Sequence, residues 1–260
     1  MRLRAITVLV ALGLCTQASA WTTATHEKMV ALAVHLMPPS LGAQLVKNQA
    51  ALLEGVRAPD RGARPEAHAL HADGTAGALD QEVAARVDQA IALIRAQGSF
   101  AELARILGEI SHFTADATFP LNTSSADARE GAYYADYAAY AASKLDKFPP
   151  VFGGYTDLDR MEPGAYVRGL SERANRGYQL ISSSYFPDGS SAMRSSRTFD
   201  DRGPAFGIAQ IGFGAGVSAT ANLWLYVWRE AHGDLTNTPH YPPAGRNRLA
   251  PDRARAPQRF

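Results

Sequence analysis

The chain has 260 residues, of which 46% are hydrophobic and 20% are charged. This is the composition of a globular protein, so a fully disordered chain and a fibrous architecture are excluded. The formal net charge is only +1, so bulk charge does not draw the protein onto nucleic acid or an anionic membrane, and we expect no stable nucleic-acid partner.

Residues 1–20 are typical of a secretory signal peptide. Arg2 and Arg4 precede an uncharged run from Ala5 to Thr16, and small residues follow in Ala18-Ser19-Ala20. We predict cleavage after Ala20 and a secreted or periplasmic protein. The mature chain then carries 24 basic and 25 acidic residues, because two of the 26 basic residues are removed.

The only cysteine, Cys15, lies inside this signal. The mature chain therefore has no thiol for a disulfide or for a cysteine metal site, although it enters an oxidising compartment. A lipoprotein signal would place a small residue before the cysteine, but Leu14 occupies that position. This favours a released protein over a lipid-anchored one.

The spacing of apolar residues in the mature chain predicts a single all-α domain over residues 21–240, since no run alternates with period two. A loop over 58–77 and a disordered basic tail rich in Pro and Arg over 241–260 complete the prediction. The predicted helices are 25–37, 41–56, 78–97, 101–118, 127–147, 163–184 and 204–231.

The last predicted helix has no charged side chain between Ala205 and Trp228. Twenty-four such residues are long enough to cross a bilayer. Polar residues such as Gln210 and Asn222, together with four glycines, instead favour a central helix surrounded by the others. We therefore expect no transmembrane segment after signal cleavage, with a membrane anchor as the alternative.

Two polar residues of the fourth predicted helix have the spacing of metal ligands. His112 and Asp116 are four residues apart, so their side chains lie on one helical face about 6 Å apart. Glu109 lies on the same face and can serve as a supporting partner or a base. The alternative is a structural His–Asp pair bonded only to each other.

The loop and the new N-terminus bring further donors. Asp60, His68 and His71 lie in the loop, and loops held by a rigid scaffold often carry ligands. Cleavage after Ala20 would free the amine of Trp21, which can chelate an ion together with its own carbonyl oxygen. His26 follows near the start of the first helix, where a cap or a core role is the alternative to a ligand.

The order of these motifs resembles the zinc-dependent phosphoesterases that include bacterial phospholipase C and the fungal single-strand nucleases. In that family three zinc ions lie in a cleft of an all-α fold, and phosphodiesters or phosphomonoesters are hydrolysed. The motifs that carry the resemblance are an N-terminal Trp21, His26, Ala58-Pro59-Asp60, a histidine in the next loop, and His112-Phe113-x-x-Asp116-x-x-x-Pro120-Leu121.

The resemblance implies a set of metal ligands for two zinc ions. It places one ion between Asp60, His71, His112 and Asp116. It places a second ion between the amine and carbonyl of Trp21, His26 and a bridging Asp116. His71 is preferred to His68 because its separation from Asp60 lies nearer the family's, and His68 is the alternate ligand. Asp60 would also orient the attacking water.

The third site departs from the family pattern. Asn122 stands where the family has a histidine directly after Pro-Leu, and a later His-x-x-x-Asp/Glu pair is represented by Ala132 and Asp136. A neutral amide oxygen is a poor zinc ligand. Asn122 and Asp136 form a possible residual site, so this ion is either absent or a harder, weakly bound one. With only two ions, leaving-group stabilisation is the step that would suffer.

The sequence as a whole favours a secreted zinc-dependent hydrolase of phosphoester bonds. Its substrate would be a phospholipid, as for a phospholipase C, or a nucleic acid, as for a nuclease. Tyr133, Tyr134, Tyr137 and Tyr140 would stack a base, line an acyl-chain entrance or simply pack in the core. The alternative function is that of a catalytically silent family member acting as a binding or structural protein.

Overall fold

A computed structural model describes residues 20–62 and 64–241. The predicted signal peptide, apart from Ala20, and the predicted basic tail, apart from Tyr241, lie outside the described residues. Within the described residues the chain forms nine α-helices and no β-strand, which confirms the all-α prediction. The helices are α1 (Thr23–Val34), α2 (Pro39–Lys47), α3 (Gln49–Arg57), α4 (Leu79–Arg95), α5 (Phe100–Asp116), α6 (Glu130–Ser143), α7 (Pro163–Asn175), α8 (Tyr178–Tyr185) and α9 (Pro204–Glu230).

Two of the predicted helices are each divided into two. The helix predicted over 41–56 breaks at Asn48, whose side-chain amide donates a 2.8 Å hydrogen bond to the Gln44 carbonyl and so closes α2. The helix predicted over 163–184 breaks before Gly177, where an added Cβ would press on Ile208 of α9. The first break involves a local side-chain bond and the second a contact with a distant helix, and the apolar period records neither.

Helix α5 is the centre of the fold. Every residue from Ile106 to Asp116 is buried, so the polar side chains on its last turns lie inside the protein. Helix α9 packs against it, and the indole of Trp224 donates a 2.9 Å hydrogen bond to the Leu107 carbonyl. No helix among the described residues, α9 included, is long and apolar enough to cross a membrane.

Helices α3 and α5 cross with their backbones almost in contact. An added Cβ on Gly55 of α3 would collide with the backbone of Arg105, and one on Gly108 of α5 would collide with the backbone of Leu52. Only glycine permits such an approach at both positions. The C-terminal end of α3 is thereby held directly against the buried face of α5.

The segment between α3 and α4 is irregular, as predicted, apart from two short 3-10 turns at Pro59–Arg61 and Pro65–Ala67. Its backbone is tied to the segment that follows α5: the Leu70 amide donates to the Asn122 carbonyl at 3.0 Å, and the Ala72 amide donates to the Thr123 carbonyl at 2.9 Å. These bonds hold the loop beside the C-terminal end of α5.

Candidate metal centre

His112 and Asp116 lie on the last two turns of α5 and are fully buried. Their four-residue spacing places the His112 Nε2 atom 3.3 Å from the Asp116 Oδ2 atom. Buried charges in proteins are paired or bind metal ions. The pair therefore needs either a mutual hydrogen bond or a cation, and its neighbours help to distinguish these possibilities.

A backbone carbonyl of α3, and not Asp116, fixes the orientation of the His112 ring. Its Nδ1 atom lies 2.8 Å from the Val56 carbonyl oxygen at the end of α3. A carbonyl oxygen only accepts, so Nδ1 must carry the hydrogen and, in the neutral ring, Nε2 must present a lone pair. A ring nitrogen bonded to a backbone carbonyl is the usual support of a metal-binding histidine.

His26 approaches the same carboxylate from α1. Its ring stacks on the His112 ring with the centroids 4.2 Å apart, and its Nε2 atom lies 3.4 Å from Asp116 Oδ1. Both ring nitrogens of His26 and Asp116 Oδ1 are buried without a hydrogen-bond partner among the described residues. Because buried polar atoms normally have partners, these atoms indicate a ligand that completes the site.

His68 and Asp60 reach the cluster from the loop. The His68 Nδ1 atom lies 2.8 Å from Asp116 Oδ2 and 3.2 Å from His112 Nε2, and Asp60 Oδ1 lies 3.7 Å from His112 Nε2. Four ligands at zinc's usual bond lengths around a tetrahedral ion are separated by about 3.3 Å. The donor atoms are thus spaced for a small cation.

Two overlapping groups of donors follow from this geometry. The first group comprises His26, His112 and Asp116, and the second comprises Asp60, His68 and His112. In each group the donor atoms lie within 4.8 Å of one another. Imidazole and carboxylate donors form the ligand set that zinc prefers when cysteine is absent, so these residues fit the ion that the resemblance implies.

His71 lies outside both groups. Its Nδ1 atom is 3.2 Å from the Thr75 hydroxyl, and its backbone amide donates to the Ala76 carbonyl at 2.9 Å. These bonds hold His71 within its own turn, whereas the His68 ring contacts Asp116 and His112 directly. The geometry thus favours His68, the alternate ligand, over His71.

The two histidines provide a matched test within one loop. We expect His68→Gln to lower zinc affinity at least about 10-fold, since even the removal of a supporting partner costs that much. His71→Gln should leave zinc content unchanged. Elemental analysis after dialysis against a fixed free-zinc concentration measures both, and a larger loss in the His71 variant would reverse the assignment.

Asn122 and Asp136 are not brought together. The Asn122 side-chain amide donates to the His68 carbonyl at 2.7 Å, and its oxygen accepts a hydrogen bond from the Tyr134 hydroxyl. The Asp136 carboxylate instead accepts a 2.8 Å hydrogen bond from Tyr185. The residue of α6 that faces Asn122 is Tyr134 rather than Ala132, which is exposed.

Trp21 is fully buried against the end of α5. Its indole Nε1 atom donates a 3.0 Å hydrogen bond to the carbonyl of Ala115, the residue before Asp116. The ring also packs edge-on against Phe119, with centroids 5.0 Å apart. The indole therefore anchors the predicted start of the mature chain beside the carboxylate that the resemblance assigns to a shared ion.

Glu109 does not support His112 as the helical face suggested. Its carboxylate accepts hydrogen bonds from Arg86, at 3.0 Å, and from Arg105. Arg86 also lies over the Phe113 ring, 4.5 Å from its centroid. Glu109 thus belongs to an ion-pair network between α4 and α5.

The Asp116 carboxyl stays ionised although it is buried. Burial alone would raise the pKa of the Asp116 carboxyl, but the facing imidazoles, that of His112 foremost, lower it well below its usual range. Burial also acts to lower the pKa of His112, but the attraction of Asp116 and Asp60 raises it. Burial and the neighbouring His112 lower the pKa of His26. The buried carboxylate is thus stabilised by positive charge, and a bound cation would supply that charge in place of the His112 proton.

A pocket of about 420 Å³ opens on this cluster. Asp60 and His68 line one part of it, and Asn122, Glu130 and Tyr134 line another. Of the tyrosines in α6, Tyr134 lines this pocket, whereas Tyr133, Tyr137 and Tyr140 are buried in the core. Glu130 is a pocket residue that the sequence motifs did not indicate.

The fold is similar to two clostridial toxins of known structure. The alpha-toxin of Clostridium perfringens from avian strain SWCP matches with a TM-score of 0.59 and 15% identity, over 84% of this chain and 66% of the toxin chain. The alpha toxin of Clostridium absonum matches with a TM-score of 0.63 and 16% identity, over 87% of this chain and 67% of the toxin chain. The chain thus spans about two thirds of each toxin's length.

At these identities the similarity concerns the fold. It supports the all-α fold that the sequence resemblance implies. No protein-family model matches the chain, and no curated protein matches it.

Proposed function

We propose that this protein is an exported zinc-dependent phosphoesterase. The observation that carries the proposal is the convergence of His68, Asp60 and Asp116 on the His112 Nε2 lone pair, at 3.2–3.7 Å, where a pocket opens to solvent. We place one zinc ion at Asp60, His68, His112 and Asp116. We place a second at His26, Asp116 and the amine and carbonyl of a mature N-terminal Trp21.

Zinc, when bound, would lower the pKa of a water molecule towards neutrality and stabilise charge on the phosphoryl oxygens. The side chains of the protein then position the reactants. Asp60 is partly exposed at the pocket, where its carboxylate can accept a hydrogen bond from the attacking water and orient it. His112 is held by Val56, and Asp116 offers its two oxygens to different histidines.

The pocket favours a phospholipid-type diester over a nucleic acid. None of the side chains that line it in the described chain is a lysine or an arginine. Proteins that bind single-stranded nucleic acid use a positively charged groove that follows the backbone. A single phosphoester group is thus the better match to this pocket, and we propose hydrolysis of phospholipid headgroup esters outside the cytoplasm.

One observation favours a second candidate function. Tyr134 and Asn122 are bonded to each other at the position where the family resemblance implies a third ion. A protein that binds two ions but has lost turnover would have this arrangement. It would act as a binding or structural protein with the same fold.

Metal content and turnover of one preparation separate the two functions. The chain beginning at Trp21 should contain two zinc ions by elemental analysis and hydrolyse a short-chain phosphatidylcholine. A chelator should abolish turnover, zinc should restore it, and single-stranded DNA should remain intact. Two ions without turnover on any phosphoester would establish the silent protein instead, and a preparation without zinc would overturn both.

A further inference from the structure

Glu130 occupies the pocket wall formed by the first turn of α6. It lies one turn before Tyr134, so both side chains project from the same helical face. Tyr134 is bonded to Asn122, and Asn122 is bonded to the His68 backbone. Glu130 thus lines the same pocket as Asp60 and His68 but stands outside both groups of candidate ligands.

One carboxyl oxygen of Glu130 accepts a hydrogen bond from the protein, and the other does not. The Asp127 amide donates to the Tyr178 hydroxyl oxygen at 3.0 Å, so the hydroxyl hydrogen is directed to Glu130 Oε2, 2.5 Å away. The Oε1 atom has no hydrogen-bond partner among the described residues. A pocket-lining carboxyl group with one oxygen fixed and the other without a protein partner can deliver a proton to a bound molecule.

The surroundings of Glu130 keep a proton on this group near neutrality. Burial raises its pKa to about 7, the Asp127 carboxylate acts in the same direction, and the Tyr178 hydrogen bond opposes them. The other titratable side chains in acid–base reach of the pocket are Asp60, His68 and His71, which line it together with Glu130 and Tyr134. A general acid works best when its pKa lies near the working pH, as in other enzymes with buried carboxyl groups.

We propose that Glu130 is the general acid that protonates the leaving oxygen of the phosphoester. This inference rests on the proposed function. The oxygen of water forms a bond to phosphorus while the bond from phosphorus to the leaving oxygen breaks. The proton on Glu130 passes to that oxygen, which departs as a neutral alcohol. The proton lost by water goes to the solvent, and Glu130 takes up a proton before the next turnover.

A general acid at Glu130 would compensate for the incomplete third metal site. An alkoxide leaving group is strongly basic and needs a cation or a proton as it departs. The bonded pair of Asn122 and Tyr134 offers no imidazole for a further ion. A carboxyl group that retains its proton one helical turn away supplies the missing stabilisation without a metal.

The Glu130→Gln variant tests the inference with two substrates. Gln keeps an oxygen that accepts the Tyr178 hydrogen bond but carries no acidic proton. We expect its turnover of an alkyl phosphodiester to fall about 100-fold, the lower range for a general acid. Turnover of a 4-nitrophenyl phosphodiester should stay within about 3-fold of wild type, because that leaving group needs no proton. Zinc content should be unchanged.

The pH profile provides a second readout. The ratio of wild-type to variant rates on the alkyl ester should decrease as pH rises through about 7, where Glu130 loses its proton. Taking the ratio removes titrations that both proteins share. Glu172→Gln, on the exposed face of α7, is the matched control and should keep the wild-type profile.

Each outcome is distinct. Equal losses on both esters, or a ratio independent of pH, would assign Glu130 a structural role and overturn this inference while leaving the phosphoesterase intact. A wild-type protein that binds zinc but cleaves neither ester would overturn the proposed function, and the general acid with it.

Discussion

We expect Asp116→Asn to remove zinc more completely than any other single substitution in the protein. Its Oδ1 atom faces His26 at 3.4 Å, and its Oδ2 atom faces His68 at 2.8 Å and His112 at 3.3 Å. An amide at this position lacks the negative charge of the carboxylate. Its N–H groups would also face the imidazole nitrogens that are proposed to bind the cation. Zinc affinity should fall more than about 100-fold, beyond the range seen for supporting partners alone.

Zinc titration of metal-free protein measures this effect, with circular dichroism as a check on folding. Asp73→Asn is the matched control, because Asp73 lies on the same loop as His68 but is exposed and bonded to Thr75. The control should bind zinc as the wild type does. A folded Asp116→Asn variant that keeps both ions would exclude Asp116 as the shared carboxylate.

The second large effect concerns the backbone amine of Trp21, which cleavage at the predicted site would free. A protein with one alanine added before Trp21 should contain about one zinc ion fewer than the protein that begins at Trp21, because an acylated amine has no available lone pair. Turnover should fall at least about 100-fold if that ion takes part in the metal-assisted step. The indole bond to the Ala115 carbonyl does not involve the amine, so the fold should be retained.

The two proteins can be prepared from one precursor with two protease sites that differ by a single residue. Zinc content and diester turnover are then compared between two proteins that were expressed and purified in the same way. Identical zinc content in the two proteins would exclude the N-terminal chelate, while leaving the site at Asp60, His68, His112 and Asp116 untouched.

The sequence predicted the contact between candidate ligands that depends on short-range spacing. His112 and Asp116 face one another because four residues in a helix make one turn, and α5 is regular where they lie. The choice between His68 and His71 depends instead on how the loop turns. Backbone bonds from the loop to Asn122 and Thr123, some fifty residues away, set that path, and no local pattern encodes it.

The same limit applies to α6. The family pattern aligned Ala132 and Asp136 with the third site, whereas the structure directs Tyr134 to Asn122. A shift of two residues rotates a helical side chain by more than half a turn, so a small error in alignment moves it to the opposite face. Glu130 could not be recognised because its environment comes from Tyr178, 48 residues further on.

The glycine crossing of α3 and α5 has a consequence for how this protein can evolve. The Val56 carbonyl reaches His112 only because Gly55 and Gly108 let the two helices approach closely. Under the proposed function, metal affinity would be tied to helix spacing, and a substitution at either glycine would change both properties together. A mutation in the scaffold that widens this contact would also move the carbonyl that orients the His112 ring, although the mutated residue does not touch that ring.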